Sequence, residues 1–320
     1  MKFFKKNKNI TFLIAFILFI AIFVSGLTPV LGQDSTYQIS VAKGTSTLIV
    51  TDYNEDDWED EIEDESDPDD FFDGDSDTQG ARNKLTIRGI SEFKWDSFDV
   101  LTLLFDVFGH LPSYAIPIIL QNYTEDDIEE LYPDEYKVWE ILASKWDFES
   151  EGFDEEPDES EFLIPVFKNP KYFKEILEVY NTWAVSLNST LIALGIDPYP
   201  ILDGDDLIWM LIQKDMLIIA SPFNAYLEDI VDKLDCEDVE AQGDSLIIER
   251  KGEKKYTVEI SFNNEGVRSD IKIINSEDKV VYEISKDYAE LLVLIIIFTG
   301  IGCVSAGIAY VVYKRRNRYK

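Results

Sequence analysis

The stretch Ser245–Lys286, SLIIERKGEKKYTVEISFNNEGVRSDIKIINSEDKVVYEISK, decides the fold. Leu246 and Ile248 alternate with polar neighbours, as do Tyr256, Val258, Ile260 and Phe262. Val267, Ile271 and Ile273 follow, then Val280, Tyr282 and Ile284. A period of two puts these side chains on one face of a strand. The joints Lys251-Gly252-Glu253, Asn263-Asn264-Glu265-Gly266 and Asn275-Ser276-Glu277-Asp278 are turn chemistry. The stretch therefore predicts an antiparallel meander with an apolar face and a polar face bearing Thr257, Glu259, Ser261 and Lys272. An oily sheet face needs a cover, so the expected class is α+β, an antiparallel sheet partly wrapped by helices.

The upstream sequence supplies such helices. After Asn169-Pro170, the residues Phe173, Ile176, Leu177, Tyr180, Ala184, Leu187 and Leu191 recur at helical spacing, and Gly195 with Pro198 stops the run. Ser221-Pro222 opens another helix, with Phe223, Leu227, Ile230 and Leu234 on one side. Leu207–Ser221 fits either a helix or two strands. Phe98, Leu101, Leu104, Phe105 and Phe108 predict a helix ending at Gly109, and Tyr136, Trp139, Ala143 and Trp146 predict another after Pro133. Nearer the start, Tyr37, Ile39 and Val41 face Leu48 and Val50 across Gly44, which reads as a hairpin, and pairing resumes at Leu85 and Ile87.

The two chain ends carry membrane signals. Lys2, Lys5, Lys6 and Lys8 precede the uncharged run Ile10–Val24, and Val30-Leu31-Gly32 supplies small residues before Gln33. That is the pattern of a secretory signal peptide over residues 1–32, cleaved before Gln33 or kept as an anchor. Leu291–Tyr313 has 23 residues and no charge. A helix of that length spans about 34 Å, enough for the hydrocarbon core, so residues 289–313 read as a transmembrane helix. Lys314, Arg315, Arg316, Arg318 and Lys320 keep the tail 314–320 cytoplasmic. The expected location is the cell membrane, single-pass, with residues 33–288 outside. Gly302 and Ala306 have the spacing that permits helix-mediated self-association.

Residues 33–288 hold 20 basic and 62 acidic side chains. A surface of that sign repels nucleic acid and attracts cations or basic proteins. Two tracts concentrate the charge: Asp52–Asp77 has 16 acids in 26 residues with no basic group, and Asp147–Glu161 has 9 in 15. Their composition predicts disordered acidic loops, at 52–82 and 147–161.

No cofactor motif is present. His110 is the one histidine, and there is no Gly-x-Ser-x-Gly, phosphate loop or Rossmann glycine pattern. Cys303 lies in the apolar run and Cys236 is alone outside it, so no disulfide closes the outer domain. Asp73, Asp75 and Asp77 have the one-in-two spacing of a calcium loop, but Thr78 and Lys84 occupy the positions that need Gly and Glu. Asp203-Gly204-Asp205-Asp206 is a shorter echo. Asn122-Tyr-Thr and Asn188-Ser-Thr are glycosylation acceptors.

This layout resembles archaeal single-pass cell-surface proteins of unassigned function. The resemblance rests on the signal peptide, Tyr37-Gln38-Ile39-Ser40-Val41, the acidic loops, Asn263-Asn264-Glu265-Gly266-Val267, and the last helix with Lys314-Arg315-Arg316. It implies a location and no activity. Helices laid on a curved sheet are also similar to the half-barrel of lipoprotein carriers. The leading expectation is a non-enzymatic binding or envelope module. Its rivals are a carrier of an apolar ligand, with Trp139, Trp146, Trp183 and Trp209 lining a pocket, and a hydrolase using paired carboxylates.

Overall fold

The computed structural model describes residues 37–62, 67–96, 99 and 135–288, all within the compact unit Tyr37–Lys320. The predicted signal peptide, the helix at 97–109 (apart from Asp99), His110, Asn122 and the apolar run 291–313 lie outside the described residues. No helix among the described residues is long and apolar enough to cross a membrane. The class is α+β. The strands are β1 (Gly44–Tyr53), β2 (Arg82–Trp95), β3 (Tyr136–Glu149), β4 (Glu159–Phe167), β5 (Val239–Gln242), β6 (Ser245–Lys251), β7 (Lys255–Phe262), β8 (Arg268–Asn275) and β9 (Val280–Lys286). They form one antiparallel sheet in the order β4-β3-β2-β1-β9-β8-β7-β6-β5.

The meander stands as β6 to β9. Leu246, Ile248, Val258, Ile260, Ile271, Ile273, Tyr282 and Ile284 are all buried. The first and last strands then close the middle of the sheet. Leu48 of β1 pairs with Lys286 of β9 on one side and with Asn83 of β2 on the other. Two halves distant in sequence thus share one core.

Two expectations from the sequence are corrected. Tyr37–Val41 and Leu48–Val50 do not form a hairpin. Gln38 bridges to Ser221, and β1 takes β2 and β9 as partners instead. Tyr136–Trp146 is not a helix but the middle of the sheet's longest pairing, β2 with β3. Strand β3 is buried on both faces over much of its length. Double burial removes the alternation that marks a strand, and the 3-4-3 spacing of Tyr136, Trp139, Ala143 and Trp146 imitates a helix.

Three longer helices cover the sheet. In α3 (Lys171–Leu194) every residue of the predicted stripe is buried, and Gly195 ends the helix in the left-handed region with φ 72°. The ambiguous segment resolves into α4 (Gly204–Gln213) and a buried extended stretch, Met216–Ala220. Helix α5 (Phe223–Leu234) buries Tyr226, Leu227, Ile230 and Leu234. The Tyr226 hydroxyl donates to the Phe167 carbonyl at 2.7 Å, joining α5 to β4. Asn181 and Asn188, seven residues apart on α3, hold the return strap. Each amide pairs with both the N–H and the C=O of one strap residue, Leu202 and Tyr199 respectively.

Outside residues 63–66 the first acidic tract is folded, which corrects the reading of Asp52–Asp77 as a disordered loop. It forms α1 (Glu55–Glu61) and α2 (Pro68–Phe71). Trp58, Ile62 and Phe72 are at most 2 % exposed. Phe72 stacks on Tyr282 of β9, and the Tyr282 hydroxyl donates to the Ser76 carbonyl at 2.8 Å. Three large apolar groups, spaced to reach one hydrophobic face, outweigh the composition around them. In the second tract, residues 147–149 and 159–161 are strand, and only 150–158 is a loop.

Candidate functional site

Every neighbouring pair in the sheet is antiparallel, so strands β1, β3, β6 and β8 finish at the end where β2, β4, β5, β7 and β9 begin. That end carries the tract 54–81, the loop 150–158 and the joints 235–238, 252–254 and 276–279. Four of the five carry net negative charge, with Asp235, Glu237 and Asp238 in 235–238 and Glu277 and Asp278 against Lys279 in 276–279, whereas Glu253 is balanced by Lys254. The opposite end, among the described residues, has Gly243-Asp244 and Asn263–Val267 with one acid each, Lys168–Pro170 with none, and the acids Asp96, Asp99, Glu135 and Asp287 next to strand ends. The fold therefore gathers acidic segments that lie far apart in sequence onto one end.

The two long tracts are in contact. Asp75 N–H donates to the Phe148 carbonyl at 2.7 Å, and Phe148 N–H donates to the Asp73 carbonyl at 3.1 Å. Gly74 sits between them at φ 81°, where a Cβ would collide with the Phe148 backbone. Only glycine allows so close an approach in that backbone region. The Asp75 carboxylate accepts from Ser150 N–H at 3.0 Å and from its hydroxyl at 2.6 Å, bonds that hold it below the usual carboxylate range. Lys84 lies 3.4 Å from the centroid of the Trp146 ring and 4.4 Å from that of Phe153, a cation–π clamp on the 150–158 loop.

Beneath this end sits a buried ionic cluster that sequence reading missed. Lys145 of β3, 4 % exposed, places its ammonium 2.8 Å from Asp73, 3.1 Å from Asp147 and 3.9 Å from Asp215. Burial works against the charge on Lys145, but Asp215, Asp73 and Asp147 outweigh it and raise its pKa. Burial likewise works to raise Asp73, yet Lys145 and Lys214, the latter at 2.8 Å, pull its carboxyl below its ordinary value. Asp147 goes the other way: burial raises it, and Lys145 offsets only part of the rise. Asp215 continues the cluster to Arg268 of β8, whose guanidinium also donates to the Ile212 carbonyl at 2.7 Å. No motif announces this cluster. The one signal available was a lysine inside a run of core residues.

The proposed calcium ligands do not converge. Asp73 faces two lysines, Asp75 faces Ser150, and Asp77 accepts from the Thr78 hydroxyl at 3.1 Å. Among the described residues no group of three or more His, Cys, Asp or Glu is placed to hold a metal ion. The Asp203-Gly204-Asp205-Asp206 echo is a helix cap: Asp203 accepts from Asp206 N–H, and Asp205 accepts from Glu237 and Asp238 N–H. Asn188, the glycosylation candidate within the described residues, has its amide engaged by Tyr199. Cys236 is half-buried, and burial raises its thiol pKa. The four tryptophans do not line one pocket. Trp146 bonds the Asp154 carbonyl, Trp139 lies under Lys168, Trp183 is buried on α3, and Trp209 packs on Phe71 and Phe72. Comparisons with protein-family models, with curated proteins and with solved structures found no match.

Proposed function

We propose that this chain is a single-pass cell-surface protein, and that its outer domain is a non-enzymatic module gathering cations or basic partners. One observation carries the reading. The acidic tracts sit together at the end of the sheet that β9 runs away from, while β9 leads toward the uncharged run 291–313. If that run spans the bilayer, the acidic end points outward and the polybasic tail 314–320 lies inside. A fixed negative field at the outer end raises the local concentration of cations and steers basic proteins, and it disfavours nucleic acid.

The buried charges support the same reading. Lys145 is held charged and is therefore a poor nucleophile, and Asp73 and Asp215 are paired with cations rather than set as a free acid and base. Between sheet and helices most of the space is filled by side chains such as Tyr226, Tyr282 and Ile230, leaving no enclosed cavity of ligand size among the described residues. That packing argues against the carrier reading.

The test uses the full-length protein in detergent and an oligolysine probe. One variant neutralises Glu55, Asp56, Glu59, Asp60, Glu155 and Glu156 to their amides. A control neutralises Glu175, Glu178, Glu228, Asp232, Glu240 and Glu265. The first is expected to lose oligolysine binding and the control to keep most of it. Equal losses would show that net charge alone attracts the probe.

A further inference from the structure

Between the inner face of the sheet and the C-terminal end of α4 lies a cavity of about 20 Å³, lined in part by Ser46, Asn83, Asp215 and Arg268. Two polar atoms on its wall have no partner: the Nε of Arg268 and the Oγ of Ser46, both buried. The other nitrogens of the guanidinium are engaged, one with Ile212 and one with Asp215. Leu48, Leu85 and Ile218 supply apolar wall.

An arginine Nε–H can only donate, whereas a serine hydroxyl donates or accepts. The group that satisfies both must therefore be an acceptor small enough for the space. A buried water needs roughly 10–15 Å³ and two to four polar partners. We propose that the cavity is a water site, in which one ordered water accepts from Arg268 Nε–H and bonds the Ser46 hydroxyl, with the buried amide of Asn83 beside it. A halide is an acceptor of similar size. The charge balance disfavours it, because Asp215 already neutralises Arg268, and Asp73 and Asp147 stand behind Asp215 around Lys145. The water completes a polar chain through an otherwise apolar core, from Ser46 by way of Arg268, Asp215 and Lys145 to Asp73 at the acidic end.

The sign of one substitution separates a wet cavity from a dry one. Ser46→Val fills the space with methyl groups and suits a strand. In a dry cavity it raises the thermal midpoint of the full-length protein in detergent, since added contacts replace a void. In a wet one it expels the water and leaves Arg268 Nε–H without an acceptor, so the midpoint falls by roughly 2–10 °C. Ser46→Ala leaves room for the water and gives a smaller fall. A crystal structure of the unaltered full chain grown with bromide decides the matter without any variant. The expected result is a single peak within hydrogen-bond reach of Arg268 Nε that has no anomalous signal. An empty cavity, or a peak with the bromide signal, overturns the proposal, as does a rise in midpoint for Ser46→Val.

Discussion

Lys145 of β3 and Asp73 of the first acidic tract meet at 2.8 Å beneath the surface, and this pair fastens the tract to the sheet. The acidic end is thus built on an internal cation, which lets carboxylates approach the core without an uncompensated charge. Replacing Lys145 with Met leaves Asp73, Asp147 and Asp215 near one another with less to balance them. Breaking a buried ion pair from one side costs about 3–5 kcal/mol. Asp73→Asn is expected to cost less, because Asp147 and Asp215 still face Lys145. Denaturant midpoints for both variants, read at constant slope, check the order.

Asp73 and Asp147, both paired with Lys145, make opposite contributions to acid stability. Asp73 is depressed in the folded state, so its stabilisation is full above the unfolded value near 3.9 and is lost as pH falls through the lower folded value. Asp147 is raised, so the folded state binds its proton more tightly. Its contribution is greatest below about 3.9 and declines as pH rises from there through the folded value. Asp147→Asn should therefore remove a loss of stability on going from mild acid toward neutrality and leave the steeper acid limb in place. Unfolding free energies between pH 3 and 7 test this; an unchanged slope above pH 4 would count against the assignment.

Trp58 reverses the expectation that the first acidic tract is a disordered loop. It is fully buried, with edge contacts to Tyr53, Phe71 and Tyr282. Trp58→Ala is expected to destabilise the outer domain by about 3–5 kcal/mol. Deleting residues 55–72 should do at least as much, measured by thermal melting in high salt, where self-repulsion is screened.

What the sequence showed and what it concealed divide along physical lines. The meander and α3 were legible because each has one wet face, and that leaves a period in the sequence. Strand β3 was not, because burial on both faces erases the period. The acidic tract was not, because a composition rule averages over 26 residues, whereas Trp58, Ile62 and Phe72 act as individuals. The charge of the candidate site was plain from composition. Its gathering at one end depends on the pairing of β1 with β9, and nothing local in either strand announces that partner.

Asn188 lies in an acceptor motif, yet its amide nitrogen donates to the Tyr199 carbonyl at 2.9 Å and its oxygen accepts from Tyr199 N–H at 2.8 Å. A glycan on that nitrogen would displace the strap. Protein purified from a glycosylating host should be unmodified at Asn188, by peptide mass. Asn188→Ala should lower stability by about 1–3 kcal/mol, since two strap groups lose their partners.

The last prediction concerns calcium. Asp73, Asp75 and Asp77 are each turned to a different partner, so a coordination shell there would have to break the Lys145 and Lys214 pairs and the Ser150 bonds. Calcium is instead expected to gather over exposed carboxylates such as Glu55, Asp56, Glu59, Asp60, Glu155 and Glu156 as a diffuse layer. Such binding depends on the long reach of the field, and the screening length falls from about 30 Å at 0.01 M salt to about 8 Å at 0.15 M. Titration calorimetry on the full-length protein should show weak heat at low salt that fades by physiological salt. Asp75→Asn, which removes one charge among many, should change it little, and amidating the six exposed acids should reduce it strongly. A single saturable site that survives 0.15 M salt and disappears with Asp75→Asn would mean that the 73–77 segment rearranges into a true calcium loop.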